Sequence, residues 1–127
     1  MLATPTFEAF ANHHFLNLKT YRKSGDPMLT PVWFVQDGDK LYVTTRKEAG
    51  KAKRIVNNDT VEVAPCDHVG GLLGEWYQAQ ARILIDSADR QAAKNLLNGK
   101  YGDTETMQKV MPQIDETHVF IEISSRA

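Results

Sequence analysis

Apolar and polar residues alternate with period two over much of the chain, the signature of strands with one buried face. In residues 15–22, Leu16, Leu18 and Thr20 share one face, and Asn17 and Lys19 take the other. The turn Ser24-Gly25-Asp26-Pro27 leads into a second, more apolar strand over 28–36. Asp37-Gly38 is a hairpin signal, because glycine accepts the positive φ of a tight turn. Residues 41–45 form the third strand. Residues 60–66 set Val61 and Val63 against Glu62 and Ala64. A long strand over 75–85 turns Tyr77, Ala79, Ala81, Ile83 and Ile85 one way, and Trp76, Gln78, Gln80 and Arg82 the other. In residues 118–124, Val119, Ile121 and Ile123 alternate with His118, Phe120 and Glu122.

Between these strands lie short helical segments. Residues 7–14 read as a helix with Thr6 as N-cap, and 49–57 as a second. A third starts on Ser87, runs to about Asn98 and stops at Gly99. Residues 103–111 suggest a fourth. Residues 68–74 hold three glycines and read as a flexible loop. About six strands with short helices, the early ones joined by hairpins, predict a mainly β fold: a six-stranded, closed or split antiparallel β-barrel. A β-sandwich fits less well, because a helix interrupts the connection from the third strand to the fourth. With no repeat, low-complexity tract or linker, residues 1–127 read as one domain.

Composition mainly excludes. A net charge of −1 offers no general attraction for nucleic acid or an acidic membrane surface. No apolar run is long enough to span a bilayer, and residues 1–14 do not read as a secretory leader, so the expected location is cytoplasmic. The single cysteine, Cys66, rules out an intrachain disulfide, and neither CxxC nor HExxH is present, so no metal site is expected.

Charge becomes informative locally. From Arg46 to Arg54, five basic residues stand against one acidic residue, Glu48. Here the chain leaves a strand through Thr44 and Thr45, turns, and enters a helix at Gly50-Lys51-Ala52-Lys53-Arg54. Basic side chains at a helix N-terminus oppose its partial positive charge by about 0.3–1 kcal/mol each. A bound anion reverses that sign, and free helix amides with threonine hydroxyls suit a phosphate. A solvated basic helix face fits the same residues equally well, and Lys47 reads as plain surface.

Leu29-Thr30-Pro31-Val32-Trp33-Phe34-Val35 carries a proline inside a strand. That favours an edge or a bulge and would free backbone groups for a flat heterocycle. A core strand with an aromatic plug is the stronger reading of the pattern alone. Gly70-Gly71-Leu72-Leu73-Gly74 could admit a ligand or a partner chain, but an ordinary hairpin loop is the better reading. Trp76, opposite the apolar face of its strand, is a candidate for a dimer interface. His13 and His14 are adjacent and read as surface. Cys66 has no identifiable base beside it and is assigned no nucleophilic role.

Taken together, Thr30-Pro31-Val32-Trp33-Phe34, Leu41-Tyr42-Val43-Thr44-Thr45 and Gly50-Lys51-Ala52-Lys53-Arg54-Ile55 resemble the split-barrel flavoproteins related to pyridoxamine 5′-phosphate oxidase. Val63-Ala64-Pro65-Cys66-Asp67, Gly74-Glu75-Trp76 and Lys100-Tyr101-Gly102 are similar to the PPOX-class F420-dependent oxidoreductases of that superfamily. The resemblance covers residues 7–124. It implies an FMN-binding type of split barrel, assembled as a homodimer with the cofactor, FMN or coenzyme F420, at the interface. Lys51 and Thr45, with Thr44 and Arg54 near, would hold the cofactor phosphate. Pro31, Val32 and Trp33, with Thr30 beside them, would line the ring system, and Trp76 would approach from the partner or shape the pocket. Hydride transfer would belong to the cofactor, with no essential protein acid or base. The stretch Ile123-Ser124-Ser125-Arg126-Ala127 does not match the Arg-Leu-rich substrate motif of the true oxidases.

The implied function is reduction of a small conjugated substrate by a flavin- or deazaflavin-dependent oxidoreductase. The alternative is a non-catalytic flavin- or haem-binding carrier on the same barrel, with His13, His14, His68 and His118 as the available axial ligands. A third reading, a nucleic-acid barrel using the basic cluster with Trp33 and Tyr42, is opposed by the net charge and by the confinement of the basic residues to one segment.

Overall fold

The computed structural model describes residues 7–126. Its strands are β1 Phe15–Tyr21, β2 Pro27–Trp33, β3 Val35–Asp37, β4 Lys40–Arg46, β5 Thr60–Cys66, β6 Tyr77–Ile83 and β7 His118–Ser125. All pairings are antiparallel, in one seven-stranded sheet of order β2-β1-β5-β6-β7-β4-β3. The helices are α1 Gly50–Asn57, α2 Ser87–Tyr101, α3 Glu105–Val110 and α4 Ile114–Thr117.

The two ends of the sheet are consecutive in the chain. β2 pairs with β1 and β3 with β4, and only Phe34 separates β2 from β3. One bent stretch thus serves both edges, and the sheet curls round on itself. The expected count of six strands is corrected to seven because the strand read over 28–36 breaks at Phe34. The break has a cause far along the chain. The Phe34 amide donates to Tyr101 Oη at 3.1 Å, and its carbonyl accepts from Tyr101 Oη at 2.6 Å and Lys100 Nζ at 2.8 Å. A peptide held by the end of α2 is withdrawn from the ladder.

Strand alternation builds the inner core as expected. Leu16, Leu18, Leu41, Val43, Val61, Val63, Ala79, Ala81, Ile121 and Ile123 all point inward and are buried. Ala52 and Ile55, three apart on α1, bury the inner face of that helix. Phe7 and Phe10 join the same core, Phe10 meeting Phe34 edge-on at 5.7 Å. The helix expected over 7–14 shortens to a 3-10 turn, Glu8–Phe10, between two left-handed residues, Phe7 at φ 61° and Asn12 at φ 66°. Thr6, its expected cap, lies outside the described residues.

A second core covers part of the outer face. Val35 and Phe120 of the sheet pack with Ala93, Leu97 and Tyr101 of α2, Met107 of α3 and Ile114 of α4. Phe120, which alternation placed opposite the core, is therefore fully buried. Ile85 is the converse: β6 ends at Ile83, Leu84 packs into this second core, and Ile85 is 87% exposed. The start of α2 also differs from expectation. Asp86 caps it, accepting from the Ala88 and Asp89 amides, where Ser87 was expected. The helix runs through Gly99 to Tyr101, whose hydroxyl anchors it to Phe34.

Candidate functional site

A cavity of about 230 Å³ opens where β2, β4, α1, α3 and β7 meet. Val32 and Trp33 come from β2, Thr44 and Thr45 from the end of β4, and Lys51 from the first turn of α1. α3 contributes Thr106, Met107 and Val110, and β7 its first residue, His118. The meeting follows from register: the end of β4 lies against the start of β7, with Thr45 opposite Val119 and Arg46 opposite His118.

Each polar group has a different standing. Thr44 Oγ1 donates to the Val119 carbonyl at 2.8 Å, so its proton is taken. Thr45 is buried, and among the described residues its hydroxyl makes no hydrogen bond. Lys51 is half-buried and has neither a carboxylate partner nor a hydrogen bond among the described residues. Burial, and then the nearby Arg54, lower its pKa. Ala49, the N-cap of α1, offers no side-chain cap, so the first amides of the helix are orphan donors. The apolar side is fixed as firmly: the Trp33 indole stacks on Tyr101, ring centres 4.4 Å apart and planes 1° from parallel.

The fold thus gathers five of the residues proposed from sequence: Val32, Trp33, Thr44, Thr45 and Lys51. Thr30 sits opposite Leu18 on the barrel-facing side of β2 and does not line the cavity. Pro31 lies on the outer side, opposite Asn17 and near Gly70, in the edge strand its chemistry favours. Arg54 is turned away, its Nε donating to Thr20 Oγ1 at 2.6 Å. Trp76 lies under the Lys19 ammonium, 4.2 Å from the ring centre, and does not line the cavity of its own chain. Of the other basic residues, Arg46 pairs with Glu48 at 2.8 Å, and Lys47 and Lys53 are exposed.

His118 was named from sequence only as an available haem ligand, not as a flavin contact, and the α3 residues were not proposed at all. No local signal marks them; they reach the cavity only through the β4–β7 pairing and the packing of α3. The glycine loop is an internally bonded turn: Asp67 accepts from the Val69 and Gly71 amides, and Asn17 Nδ2 donates to the Gly70 carbonyl. Cys66 is buried, and burial, with Asp67 nearby, pushes its thiol up to about 11. It stays protonated at neutral pH. Among the described residues no group of three His, Cys, Asp or Glu could hold a metal, and no helix is long and apolar enough to cross a membrane.

A curled antiparallel sheet with short helices is consistent with a split barrel. The family model for pyridoxamine 5′-phosphate oxidase matches residues 3–124, and the chain belongs to that family. No curated protein matches it. Among solved structures it is similar to the heme storage protein HutZ from Vibrio cholerae, at 16% identity and TM-score 0.75, covering 100% of this chain and 92% of that one. It is similar to an F420 reductase at 22% identity and TM-score 0.66, covering 98% and 97%. It is also similar to an FAD-binding protein from Mesorhizobium loti at 19% identity and TM-score 0.67, covering 100% and 91%. At these identities the likeness is one of fold.

Proposed function

We propose that the chain is an oxidoreductase that binds FMN or coenzyme F420 by its phosphate and acts on a small conjugated substrate. The observation that carries this reading is Lys51: a half-buried ammonium without an anionic partner among the described residues, beside a free Thr45 hydroxyl and an uncapped helix start. A phosphate supplies what that arrangement lacks. Val32 and the immobilised Trp33 offer an apolar, flat wall for a ring system. A bound flavin or deazaflavin supplies hydride transfer, and the chain's residues bind and orient it. Family membership and the fold shared with an F420 reductase and an FAD-binding protein support the same class.

The site belongs, in this reading, to a homodimer. Cavities that enclose a ligand usually measure about 300–1,000 Å³, and 230 Å³ on one chain falls short of that. A second copy would add the missing wall. Fluorescence titration with FMN and, separately, with F420 tests the proposal. Saturable binding of one of them, weakened in Lys51→Ala, is the expected result; no binding of either would overturn it.

One observation favours a haem carrier as the second reading. His118 brings an imidazole into the cavity of a fold shared with a heme storage protein. A Soret band on haem addition, with no flavin binding, would decide for it.

A further inference from the structure

His118 is the one cavity residue able to change charge near neutral pH, and its surroundings fix its proton. Thr117 Oγ1 donates its single proton to the Gln113 carbonyl at 3.0 Å. With that proton so committed, it accepts on its other side, where His118 Nδ1 lies 2.6 Å away. In that arrangement Nδ1 carries the hydrogen, and a neutral ring keeps its lone pair on Nε2. Among the described residues Nε2 makes no hydrogen bond.

The charges around the ring come from several elements. Arg46 faces it across the β4–β7 register, with Glu48 ion-paired to that arginine at 2.8 Å. Lys51 of α1 lines the same cavity, whereas Thr106, Met107 and Val110 of α3 bring no charge. On α4, Asp115 is engaged by Lys94 at 2.7 Å, and Glu116 is exposed. Burial first, then Arg46, lower the pKa of His118, with Glu48 opposing. The cavity thus sets a neutral imidazole near an ammonium that has no anionic partner among the described residues.

We propose that His118 is a ligand-binding residue of this cavity, and that a phosphate monoester enters with uptake of one proton onto Nε2. The inference rests on the reading of the cavity as a phosphate site. A phosphate dianion beside the ring reverses the sign of the local field. Nε2 then takes a proton from solvent and donates it in a charge-assisted hydrogen bond to a phosphate oxygen; no covalent bond is made or broken. Binding is consequently tighter at pH 7 than at pH 9, as long as the phosphate itself stays doubly ionised.

Imidazole NMR on the full chain tests this with inorganic phosphate as probe. His118→Gln identifies the His118 signals, and contacts to Thr117 identify them if that variant fails to fold. Without phosphate, the expected result is the Nδ1–H tautomer, titrating below the ordinary value of about 6.5. With saturating phosphate, the titration moves above about 7. Calorimetry of FMN binding in two buffers of different protonation enthalpy should show net proton uptake by the wild type near pH 7, and none by His118→Gln. An Nε2–H tautomer, a titration indifferent to phosphate, or unchanged proton uptake in the variant would each overturn the proposal. If phosphate moves His118 but FMN does not bind, the flavin reading fails and this one stands. If FMN binds without any proton uptake at His118, the reverse holds.

Discussion

Lys51 shows how one residue can be wrong for stability and right for binding. Its charge sits half-buried against Arg54 without a counter-ion, so the folded state holds its proton less tightly than the unfolded chain does. A group with a lowered basic pKa disfavours folding at pH below that pKa. Lys51→Met keeps the apolar stem and removes the charge, so the ligand-free variant should unfold at a higher urea concentration than the wild type at pH 7. Lys51→Ala should weaken FMN binding by about 1.5–3 kcal/mol, the loss expected for a charge-assisted hydrogen bond. A Met variant that is less stable, together with an Ala variant of unchanged dissociation constant, would mean that the lysine is structural. The basic run at a strand-to-helix junction marked this region in the sequence, although a solvated face fitted it equally well, and the family resemblance singled out Lys51. Arg54 looked equivalent, but Thr20 claims its Nε and it does not line the cavity. His118 was not legible as a cavity residue, since the strand pairing that delivers it is long-range.

At the scale of elements, α2 shapes the barrel edge. Tyr101 is buried, its ring stacked on Trp33 and its hydroxyl within hydrogen-bond reach of the Phe34 amide and carbonyl and the His14 carbonyl. Lys100 adds a second donor to the Phe34 carbonyl and lies over the Phe34 ring at 3.9 Å. Tyr101→Phe preserves the stack but leaves the Phe34 amide without that acceptor. It should cost about 1–3 kcal/mol in chemical denaturation, the range for an unsatisfied buried polar group. A loss below about 0.5 kcal/mol, that of an ordinary surface substitution, would show that the hydroxyl does not hold the bend. These contacts also explain which elements could be read locally. β5 was predicted at its observed bounds, although its burial alternates only as far as Val63 before Ala64, Pro65 and Cys66 are all buried. The break between β2 and β3 left no trace, since Val32, Phe34 and Val35 are all apolar and the agent of the break lies in another helix. Gly99 was read as the end of α2 for its residue type, but tertiary anchoring at Tyr101 carries the helix past it.

For the whole molecule, alternation fixes what lies inside the barrel but not what covers the outside. One part of the outer face is covered by α2, α3 and α4. Another is bare: Leu29 is 50% exposed on the outer side of β2, in the same row as Pro31 and Trp33, and Leu72 and Leu73 of the 67–74 loop are 49% and 57% exposed. That row leads from exposed apolar surface to a cavity wall, so a second copy packed on it would bury the leucines and complete the cavity together. Assembly and cofactor binding are then one equilibrium, and each should strengthen the other. Leu29→Asp places a charge where a dimer core would lie and disturbs little in a single chain, where Leu29 already meets water. The variant should sediment as a monomer and bind FMN at least about tenfold more weakly, which corresponds to about 1.4 kcal/mol. Wild-type affinity should also fall as the protein is diluted through its dimer dissociation constant. A Leu29→Asp monomer that binds FMN as tightly as the wild type would place the whole site within one chain, and the cavity would then have to enlarge by movement of α3, the helix that contributes Thr106, Met107 and Val110 to its wall.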